Sequence, residues 1–447
     1  MTSTASPAAP PRDDSRRISI LLGVLFGLAG MGSSSAAVTL PLLGPDLGVT
    51  PGLAAWTISL YVLMLAVTTA VYGRVSDLVG VRAPLLAGLV LMSVGALVAA
   101  LAPSYGALLA ARVLQGAGAA AVPTLGVAIL SQRYEGSVRG LAFGRLAGTA
   151  AAISCLGPLA GGAVEALLGW RAVMALPILG ILVVPFLWRA LTAGGSGAPL
   201  DVVGAVLVAL TAAGMVLLVQ SPSAGHVVAV RGAGRLVLGV PAVTVQVRRR
   251  PAGFLPLEVV RNPLVVRSAI AAAAVPASWF AMLIALPAVL LAAGWEAWEV
   301  GLAMVPSAAV AMRVPRVAGP LMDRVGAGRA LRISAVVASG ALVVAALGAH
   351  LVSATLLVVA IVLVTFAFGL GQPALSAAVG DAVAVEVRGV ALGISTLLFL
   401  VGGSVGSAVI AGLSGSLGTA GALLVLAVLP LLGLLVLAPT LRRPVAA

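Results

Sequence analysis

Arg112 is a charged residue inside a long apolar run, which makes it a candidate functional residue. It lies in an apolar run at 106–131 that is long enough for a membrane-spanning helix, about six residues or roughly 9 Å from the outer end. A charged side chain at that depth is costly unless it faces a cavity or a partner. Gln115 follows one turn later on the same face. The pair predicts a polar site inside the protein; the alternative is an arginine that extends to the outer interface.

Asp77 and Asp323 stand at matching positions in two similar loops. Residues 73–82 read G-R-V-S-D-L-V-G-V-R, and residues 319–329 read G-P-L-M-D-R-V-G-A-G-R. An aspartate there can cap a helix or pair with an arginine, and a contact made in only one conformation would act as a cytoplasmic latch. The alternative is an ordinary solvated turn, but the repetition favours the latch. Its residues would be Gly73, Asp77, Gly80, Arg82, Gly319, Asp323 and Gly326.

A third group combines small residues and a proline on the apolar run at 140–164. Small residues allow helices to pack closely, and the proline removes one backbone hydrogen bond. These properties suit a pliable hinge that seals one side of the molecule, and they suit simple tight packing equally well. The residues are Gly144, Gly157, Pro158, Gly161 and Gly162.

The composition sets the class of protein in which these groups must act. Of 447 residues, 61% are hydrophobic and 9% are charged, whereas soluble domains are about 45–50% apolar and about 25% charged. This excludes soluble enzymes and disordered proteins, and it predicts an all-α polytopic membrane protein. Cys155 is the only cysteine, so no intrachain disulfide is expected. Neither a P-loop nor a catalytic triad, metal site or cofactor site is visible.

Fourteen apolar runs of helix length follow one another along the chain. The weakest is 228–247, because Arg231 and Arg235 interrupt it. Without it, however, the arginine-rich loops that follow would change sides of the membrane. The runs are 18–42, 53–73, 83–103, 106–131, 140–164, 172–192, 200–220, 228–247, 267–293, 300–320, 331–349, 353–377, 388–414 and 419–439.

The distribution of charge predicts the orientation. All 26 basic residues are arginines, against 13 acidic residues, and they are dispersed in short loops. This pattern is typical of the positive-inside bias of membrane proteins and not of nucleic-acid binding. We therefore expect a multi-pass protein of the cell membrane with both termini in the cytoplasm, including a disordered tail at 1–17 and a short tail at 440–447.

An internal repeat organises the spans. Besides the two aspartate loops, V-R-G-L-A-F-G at 138–144 matches V-R-G-V-A-L-G at 387–393 in nearly the same register. The repeat divides the chain into six-span halves at 18–192 and 267–439, with two additional central helices at 200–247. Parallel repeats of six spans are typical of secondary transporters, whose substrate site lies between the halves near the membrane midplane.

Several of these motifs resemble one known family. The loop at 73–82 resembles the loop signature of the major facilitator superfamily, and A-R-V-L-Q-G-A-G-A-A-A at 111–121 is similar to the fourth-helix motif of its proton-coupled members. G-P-L-A-G-G at 157–162 is similar to the fifth-helix motif of exporters, and G-W-R follows at 169–171. With fourteen spans, the chain most resembles the drug:proton antiporter branch of that family.

The resemblance implies a major facilitator fold of two pseudo-symmetric six-helix bundles plus two central helices. It also implies a role for Arg112 and Gln115 in proton or substrate coupling, and it favours the hinge interpretation of the fifth helix. Two positions depart from the family pattern. Gly32 stands where this branch usually has an acidic residue in the first helix, and Ile153 stands at a family glycine. Either an acid at the interface carries the proton, or the coupling has changed.

Residues on the central spans are candidates for the wall of the cavity. Arg313, together with Arg112, would favour neutral or anionic ligands over lipophilic cations, although it could instead extend toward the cytoplasm. Each of the others is of a type that more often packs against neighbouring helices than contacts a ligand. The candidates are Ser34, Tyr61, Trp279, Met312, Arg313 and Gln372.

The sequence thus predicts an exporter of small amphipathic drugs or secondary metabolites that works by alternating access and is driven by protons. Its partners would be the small-molecule substrate, protons and the lipid bilayer, and we expect a monomer that binds no nucleic acid. An importer or facilitator of a neutral or anionic metabolite is one alternative. A transport-inactive membrane sensor or scaffold is another, because few titratable groups lie at membrane depth.

The latch predicts the phenotype of Asp77→Asn. The variant should reach the membrane at the normal level, because the change is isosteric and lies in a loop. Transport, measured as efflux from cells per molecule of protein, should fall sharply since the contact of one conformation is lost. Normal efflux would reject the latch.

Overall fold

The computed structural model describes residues 14–134, 136–188, 191, 201–251, 253–255, 257–383 and 385–437. All secondary-structure elements of the described residues are helices. The predicted N-terminal tail falls largely outside the described residues, and the first helix begins at Ser15. The predicted tail at 440–447 lies outside them entirely.

The N-terminal half of the chain is a set of long apolar helices joined by short turns. Several neighbouring helices are separated by a single residue, namely α2 and α3 at Ala55, α5 and α6 at Ala120, and α7 and α8 at Leu156. Its elements are α1 (Ser15–Asp46), α2 (Pro51–Ala54), α3 (Trp56–Val79), α4 (Arg82–Ala100), α5 (Tyr105–Ala119), α6 (Ala121–Arg133), α7 (Gly136–Cys155), α8 (Gly157–Ala175), a 3-10 helix (Leu176–Val183) and α9 (Val184–Leu187).

Two central helices and the C-terminal half follow. The apolar run at 228–247 is the weakest candidate for a membrane span, because Arg231 and Arg235 interrupt it. It nevertheless forms a helix, α11. The elements are α10 (Val202–Ala224), α11 (His226–Arg249), α12 (Leu257–Arg261), α13 (Pro263–Ala292), α14 (Ala297–Ala303), α15 (Val305–Val325), α16 (Ala327–His350), α17 (Ala354–Gly380) and α18 (Val385–Leu437).

Twelve stretches of the described chain are long and apolar enough to cross a membrane, so the predicted number of fourteen is not confirmed. The difference lies in two stretches that the sequence divides into two spans each. These are Leu141–Leu187, with 47 residues, and Ile394–Leu437, with 44 residues. Each contains a glycine with positive φ, Gly169 at 77° and Gly418 at 68°, where the helical course is interrupted. Positive φ is a conformation that glycine adopts without the strain other residues incur.

Polar contacts tie the helices together at both ends. At the end where α1 begins, which we call the terminal face, Asp14 pairs with Arg133 and accepts a hydrogen bond of 2.6 Å from Tyr134 Oη. At the other end, the opposite face, Asp46 accepts hydrogen bonds from Trp170 Nε1 at 3.0 Å and Arg171 Nη1 at 2.6 Å. These contacts mark the two faces of the molecule between which the long helices run.

The two similar aspartate segments lie on one face, but the expectation that the aspartates stand in loops is wrong: Asp77 lies in the last turn of α3 and Asp323 in the last turn of α15. α3 ends at Gly80 with φ of 78°, and α15 ends at Gly326 with φ of 81°. α3 begins near the opposite face, and α15 continues from α14, which packs beside α8 at that same face. Both helices therefore end at the terminal face. This placement is the one that a parallel duplication requires.

The central pair packs on the seam between the halves through α10 alone. Val216 of α10 is fully buried in a cluster with Leu63 and Val67 of α3 and Ala408 of α18. α11 packs on the other side of α10, where Gly214 and Gly232 allow the two backbones to lie close together. α10 therefore contacts both halves, whereas α11 lies at the periphery.

Asp201 connects the start of α10 to the end of α11 and to the segment that follows α11. Its carboxylate accepts hydrogen bonds of 3.0 Å from the backbone N–H of Gly204, the side chain of Gln246 and the backbone N–H of Phe254. Partial burial raises the pKa of Asp201, but the hydrogen bonds from Phe254, Gly204 and Gln246 and the nearby charge of Arg250 outweigh it, so the pKa lies below the usual 3.8.

This site predicts a pH-dependent contribution to stability. A carboxyl group with a lowered pKa in the folded state stabilises the protein above its unfolded pKa, and the contribution is lost as the pH falls through the folded value. Asp201→Asn should therefore lower the stability by about 1–2 kcal/mol at pH 7, because a buried N–H loses its acceptor.

The measurement is the thermal unfolding temperature in detergent between pH 7 and pH 3. The deficit of Asp201→Asn should shrink toward the acidic end. Glu258→Gln, which removes one charge from an exposed side chain of α12, is the matched control and should unfold like the unmodified protein. A deficit that is the same at every pH would contradict the role of the carboxylate.

Candidate functional site

The side chain of Arg112 is fully buried at the junction of α1, α3 and α5. Its Nε donates a hydrogen bond to the carbonyl oxygen of Thr57 at 2.9 Å, and its Nη2 donates to the carbonyl oxygen of Gly32 at 2.6 Å. Its Nη1 donates to Gln115 Oε1. The guanidinium carbon lies 4.3 Å from the ring centroid of Tyr61, a cation–π contact. The guanidinium is thus held from three helices at once.

All of these partners are electrically neutral. The two ion pairs found among the described residues lie elsewhere, at Asp14 with Arg133 and at Asp46 with Arg171. A buried charge without a counterion has a high desolvation cost, which neutral hydrogen bonds and an aromatic face offset only in part. The site therefore presents excess positive charge within the protein, which favours acceptors and anions electrostatically.

Tyr61 occupies the space where an acidic side chain would project from α1. A Cβ atom added to Gly32 would lie 2.9 Å from Tyr61 Oη and 3.0 Å from its Cζ. Tyr61 is itself fixed there, because it is buried and its hydroxyl donates to the carbonyl oxygen of Ala29. The space in which a carboxylate at position 32 would lie is thus occupied by the Tyr61 ring. The sequence alone did not link Tyr61 to Gly32.

Three further polar atoms near this cluster have no hydrogen-bond partner among the described residues. They are Trp56 Nε1, Thr57 Oγ1 and Gln115 Nε2, and all are shielded from solvent. An unpaired buried donor carries a cost comparable to that of a lost hydrogen bond. Trp56 and Thr57 were not predicted from the sequence, because polar residues near the start of an apolar span are common and carry no motif.

The residues of the predicted hinge separate into two kinds of contact. Gly157 lies against the side chain of Ser34, and Gly161 against the backbone of Ser35, so these two pack α8 on α1. Gly162 instead lies against the backbone of Ala297 in α14, which belongs to the C-terminal half. The seam between the halves therefore depends on Gly162.

The other two hinge residues differ from this pattern. Pro158 is buried, and its carbonyl oxygen lies 2.7 Å from the position of a Cβ added to Gly301 of α14, so it too forms part of the seam. Gly144 has nothing within 4 Å of an added Cβ atom. The expectation that Gly144 contributes to a closely packed small-residue face is therefore not supported by its surroundings.

Ile153 packs against a glycine of the facing helix. A Cβ atom added to Gly27 of α1 would overlap the side chain of Ile153, at 2.5 Å from its Cβ atom. Gly23 likewise lies against Thr149. The small residues of these contacts lie on α1 and the larger ones on α7, so the two helices pack closely although position 153 is not glycine.

The halves also meet along α3 and α18. Ser59 Oγ and Ser407 Oγ lie 2.9 Å apart and form a buried hydrogen bond between them. Gly403 lies against Phe280 and, at 3.2 Å, Val62. These contacts lie toward the opposite face, where α3 begins, so the halves are joined there on two sides.

The structure describes the predicted latch only in part. The side chain of Asp77 lies outside the described residues, and that of Asp323 is exposed. Arg82 stacks over the ring of Trp188, with the guanidinium carbon 3.6 Å from the ring centroid. Gly73 and Gly319 have open or ordinary surroundings, so no close packing requires them. The latch remains a prediction.

The proposed cavity residues are not brought together at one site. Tyr61 joins Arg112, and Ser34 lies in the packing of α1 on α8. Trp279 belongs to an aromatic cluster, with ring centroids 5.0 Å from Phe280 and 5.2 Å from Phe368. The remaining three lie on α15 and α17: Met312 and Arg313 are exposed, and Gln372 is half-buried.

Comparison with known proteins places this arrangement in a family. Residues 22–407 and 317–447 match the family described as the Major Facilitator Superfamily. The Cephamycin export protein CmcT of Amycolatopsis lactamdurans is 32% identical over 300 residues, which is 63% of this chain and 60% of that protein. The transporter YebQ of Escherichia coli (strain K12) is 27% identical over 323 residues, 70% of each chain.

Solved structures agree with this fold. The crystal structure of a POT family transporter in complex with 5-aminolevulinic acid superposes with a TM-score of 0.73 and covers 96% of each chain, at 13% sequence identity. At that identity the likeness concerns the fold alone. From the family match over nearly the whole chain, we conclude that this multi-pass membrane protein belongs to the major facilitator superfamily and is a transporter, not an enzyme.

Proposed function

We propose that this transporter exports small amphipathic organic molecules, such as drugs or secondary metabolites, from the cell by alternating access. The observation that carries this proposal is the buried Arg112 cluster, a charged group held at membrane depth beside polar atoms without partners. Intramembrane charges of this kind mark substrate and ion pathways. The similarity to a cephamycin export protein supports the outward direction.

The movement between the two halves would use the seam that the small residues form. Contacts of Gly162 with Ala297 and of Ser59 with Ser407 join the halves toward the opposite face. Breaking them would open that face without unfolding either half, because these contacts lie between the halves and not within them. The parallel six-span repeat supports two pseudo-symmetric bundles that rock in this way.

We place the chain in the cell membrane as a monomer with fourteen spans and both termini in the cytoplasm. Two features support this count. A straight helix of 47 residues would be about 70 Å long, more than twice the hydrocarbon thickness of a bilayer. Positive φ at Gly169 and Gly418 would allow each long stretch to turn back and cross twice. The excess of arginine in the loops of the terminal face supports the orientation.

Proton antiport is the proposed source of energy, and the fourth-helix motif around Arg112 supports it. The lack of a carboxylate among the described partners of Arg112 favours a second candidate function, a facilitator for a neutral or anionic metabolite. Both the antiporter and the facilitator would need a solute that can bind beside the positive charge of Arg112. They differ in whether transport accumulates the solute against its gradient.

Reconstitution in liposomes with an imposed pH gradient distinguishes the candidates. Proton-driven accumulation of a fluorescent drug against its concentration gradient supports the antiporter. Equilibration that ignores the pH gradient supports the facilitator. Ligand binding without any flux would reject both transport functions and would support a transport-inactive membrane sensor.

Arg112→Lys should reduce transport about tenfold or more. Lysine keeps the charge but presents a single ammonium group, which cannot reproduce the three hydrogen bonds that the guanidinium donates. A loss of about 1.4 kcal/mol in the stability of one conformation corresponds to tenfold. The measurement is initial uptake into liposomes at equal amounts of protein.

The control for Arg112→Lys is Arg261→Lys, the same substitution at an exposed position at the end of α12. It should transport at the normal rate. Equal activity of both variants would show that the geometry of the Arg112 cluster has no part in transport.

Gly162 and Gly144 should respond differently to substitution by alanine. A Cβ atom at 162 would overlap the backbone of Ala297, whereas one at 144 meets open space. Gly162→Ala should therefore hold the halves apart at this seam and lower transport at least several-fold, and Gly144→Ala should have little effect on transport. Comparable losses in both variants would show that the motif acts as a unit and not through the packing seen at Gly162.

A further inference from the structure

The peripheral helix α11 carries three arginines on one exposed stripe. Arg231, Arg235 and Arg249 are all exposed. Arg231 and Arg249 are 18 residues apart in sequence, which at about 3.6 residues per turn is five turns, so both point in the same direction. Their Cα atoms are separated by roughly 27 Å along the helix axis. Leu238 and Val245, which lie between them on the stripe, are exposed as well.

Most of this stripe faces away from the rest of the protein. α11 packs on α10 through Gly232, which is buried against α10, and Gly239, which lies against Thr211. Arg235 lies at the edge of this contact, with its Cβ atom against Gly214 of α10, but the residue is still exposed. Neither helix contains an acidic residue that could neutralise the arginines. Arg235 Nη1 lies 3.4 Å from the carbonyl oxygen of Arg231, which is a neutral partner. The counterions of the stripe must therefore come from outside the central pair.

The spacing of the arginines corresponds to the dimensions of a bilayer. A hydrocarbon core is about 30 Å thick, so side chains about 27 Å apart reach the headgroup levels of the two leaflets when they extend outward. Arg235 lies about one turn deeper than Arg231, and together the two can hold one phosphate group from two sides. Guanidinium groups bind phosphate in bidentate geometry.

From this stripe we propose that α11 binds anionic phospholipids at its exposed surface. One lipid phosphate lies between Arg231 and Arg235 in the leaflet of the opposite face, and a second lies at Arg249 in the leaflet of the terminal face. The acyl chains cover Leu238 and Val245. Lipid is the occupant that fits, because the charges stand at two levels one bilayer apart and the surface between them is apolar. The proposal does not depend on the direction or the cargo of transport.

Native mass spectrometry of the full chain in detergent tests this site. The protein is mixed with equal amounts of phosphatidylglycerol and phosphatidylcholine that carry the same acyl chains. Phosphatidylglycerol adducts should exceed phosphatidylcholine adducts by about fivefold or more. In the variant Arg231→Gln/Arg235→Gln this preference should fall by about twofold, because the site in one leaflet is removed while the site at Arg249 remains.

Matched variants separate a specific site from general attraction. Arg324→Gln/Arg329→Gln removes the same charge from exposed positions near the Gly326 turn and should keep the preference. Arg231→Lys/Arg235→Lys keeps the charge and should retain most of it, which tests the site even if the glutamine variant folds poorly. An equal loss of preference in the 324/329 variant would overturn the proposal.

Two other outcomes would also overturn it. Displacement of the bound lipid by millimolar glycerol 1-phosphate would assign the stripe to a soluble phosphate compound. A dimer of the unmodified protein that becomes monomeric in the 231/235 glutamine variant would assign the stripe to contact between two copies. If the stripe binds lipid, glycerol phosphate has no effect on the adducts, and both proteins have the same mass.

Discussion

The burial of one guanidinium group among neutral partners constrains the N-terminal half of this transporter. Arg112 is bound to the backbone of α1 and α3 and to Gln115 on its own helix, so three helices must keep their relative positions for its hydrogen bonds to persist. Because the group cannot return to water in this arrangement, any rearrangement that opens the site must supply new acceptors. A solute with carbonyl or carboxylate oxygens could provide them, which connects the cost of burying Arg112 to the binding of cargo.

The helices around Arg112 pack closely through small residues. α1 lies against α7 through Gly23 and Gly27, which face the larger Thr149 and Ile153. It lies against α8 through Ser34 and Ser35, which face Gly157 and Gly161. Each of these contacts therefore contains a glycine. The seam between the halves uses Gly162 in a similar way but across a boundary that must open. Close contacts through small residues therefore occur both within the N-terminal half and across the seam between the halves.

Much of this architecture could be predicted from the sequence, because apolar runs of helix length and the repeated aspartate loops carry strong local signals. The proximity of Arg112 and Gln115 followed from a spacing of one helical turn. The link between Gly32 and Tyr61 could not be predicted, since it joins two helices and shows no motif. The contact between Gly27 and Ile153 could not be predicted for the same reason, and Gly144 shows that a motif glycine need not mark a close contact.

The central claim is that the two halves separate at the opposite face during each transport cycle. Cross-linking Ser59 to Ser407 tests it most directly, because their side-chain oxygens lie 2.9 Å apart across the seam. With Cys155 replaced by serine, the variant Ser59→Cys/Ser407→Cys should lose transport in liposomes when oxidised and regain it after reduction, while each single cysteine variant stays active. Undiminished transport by the cross-linked protein would contradict this claim.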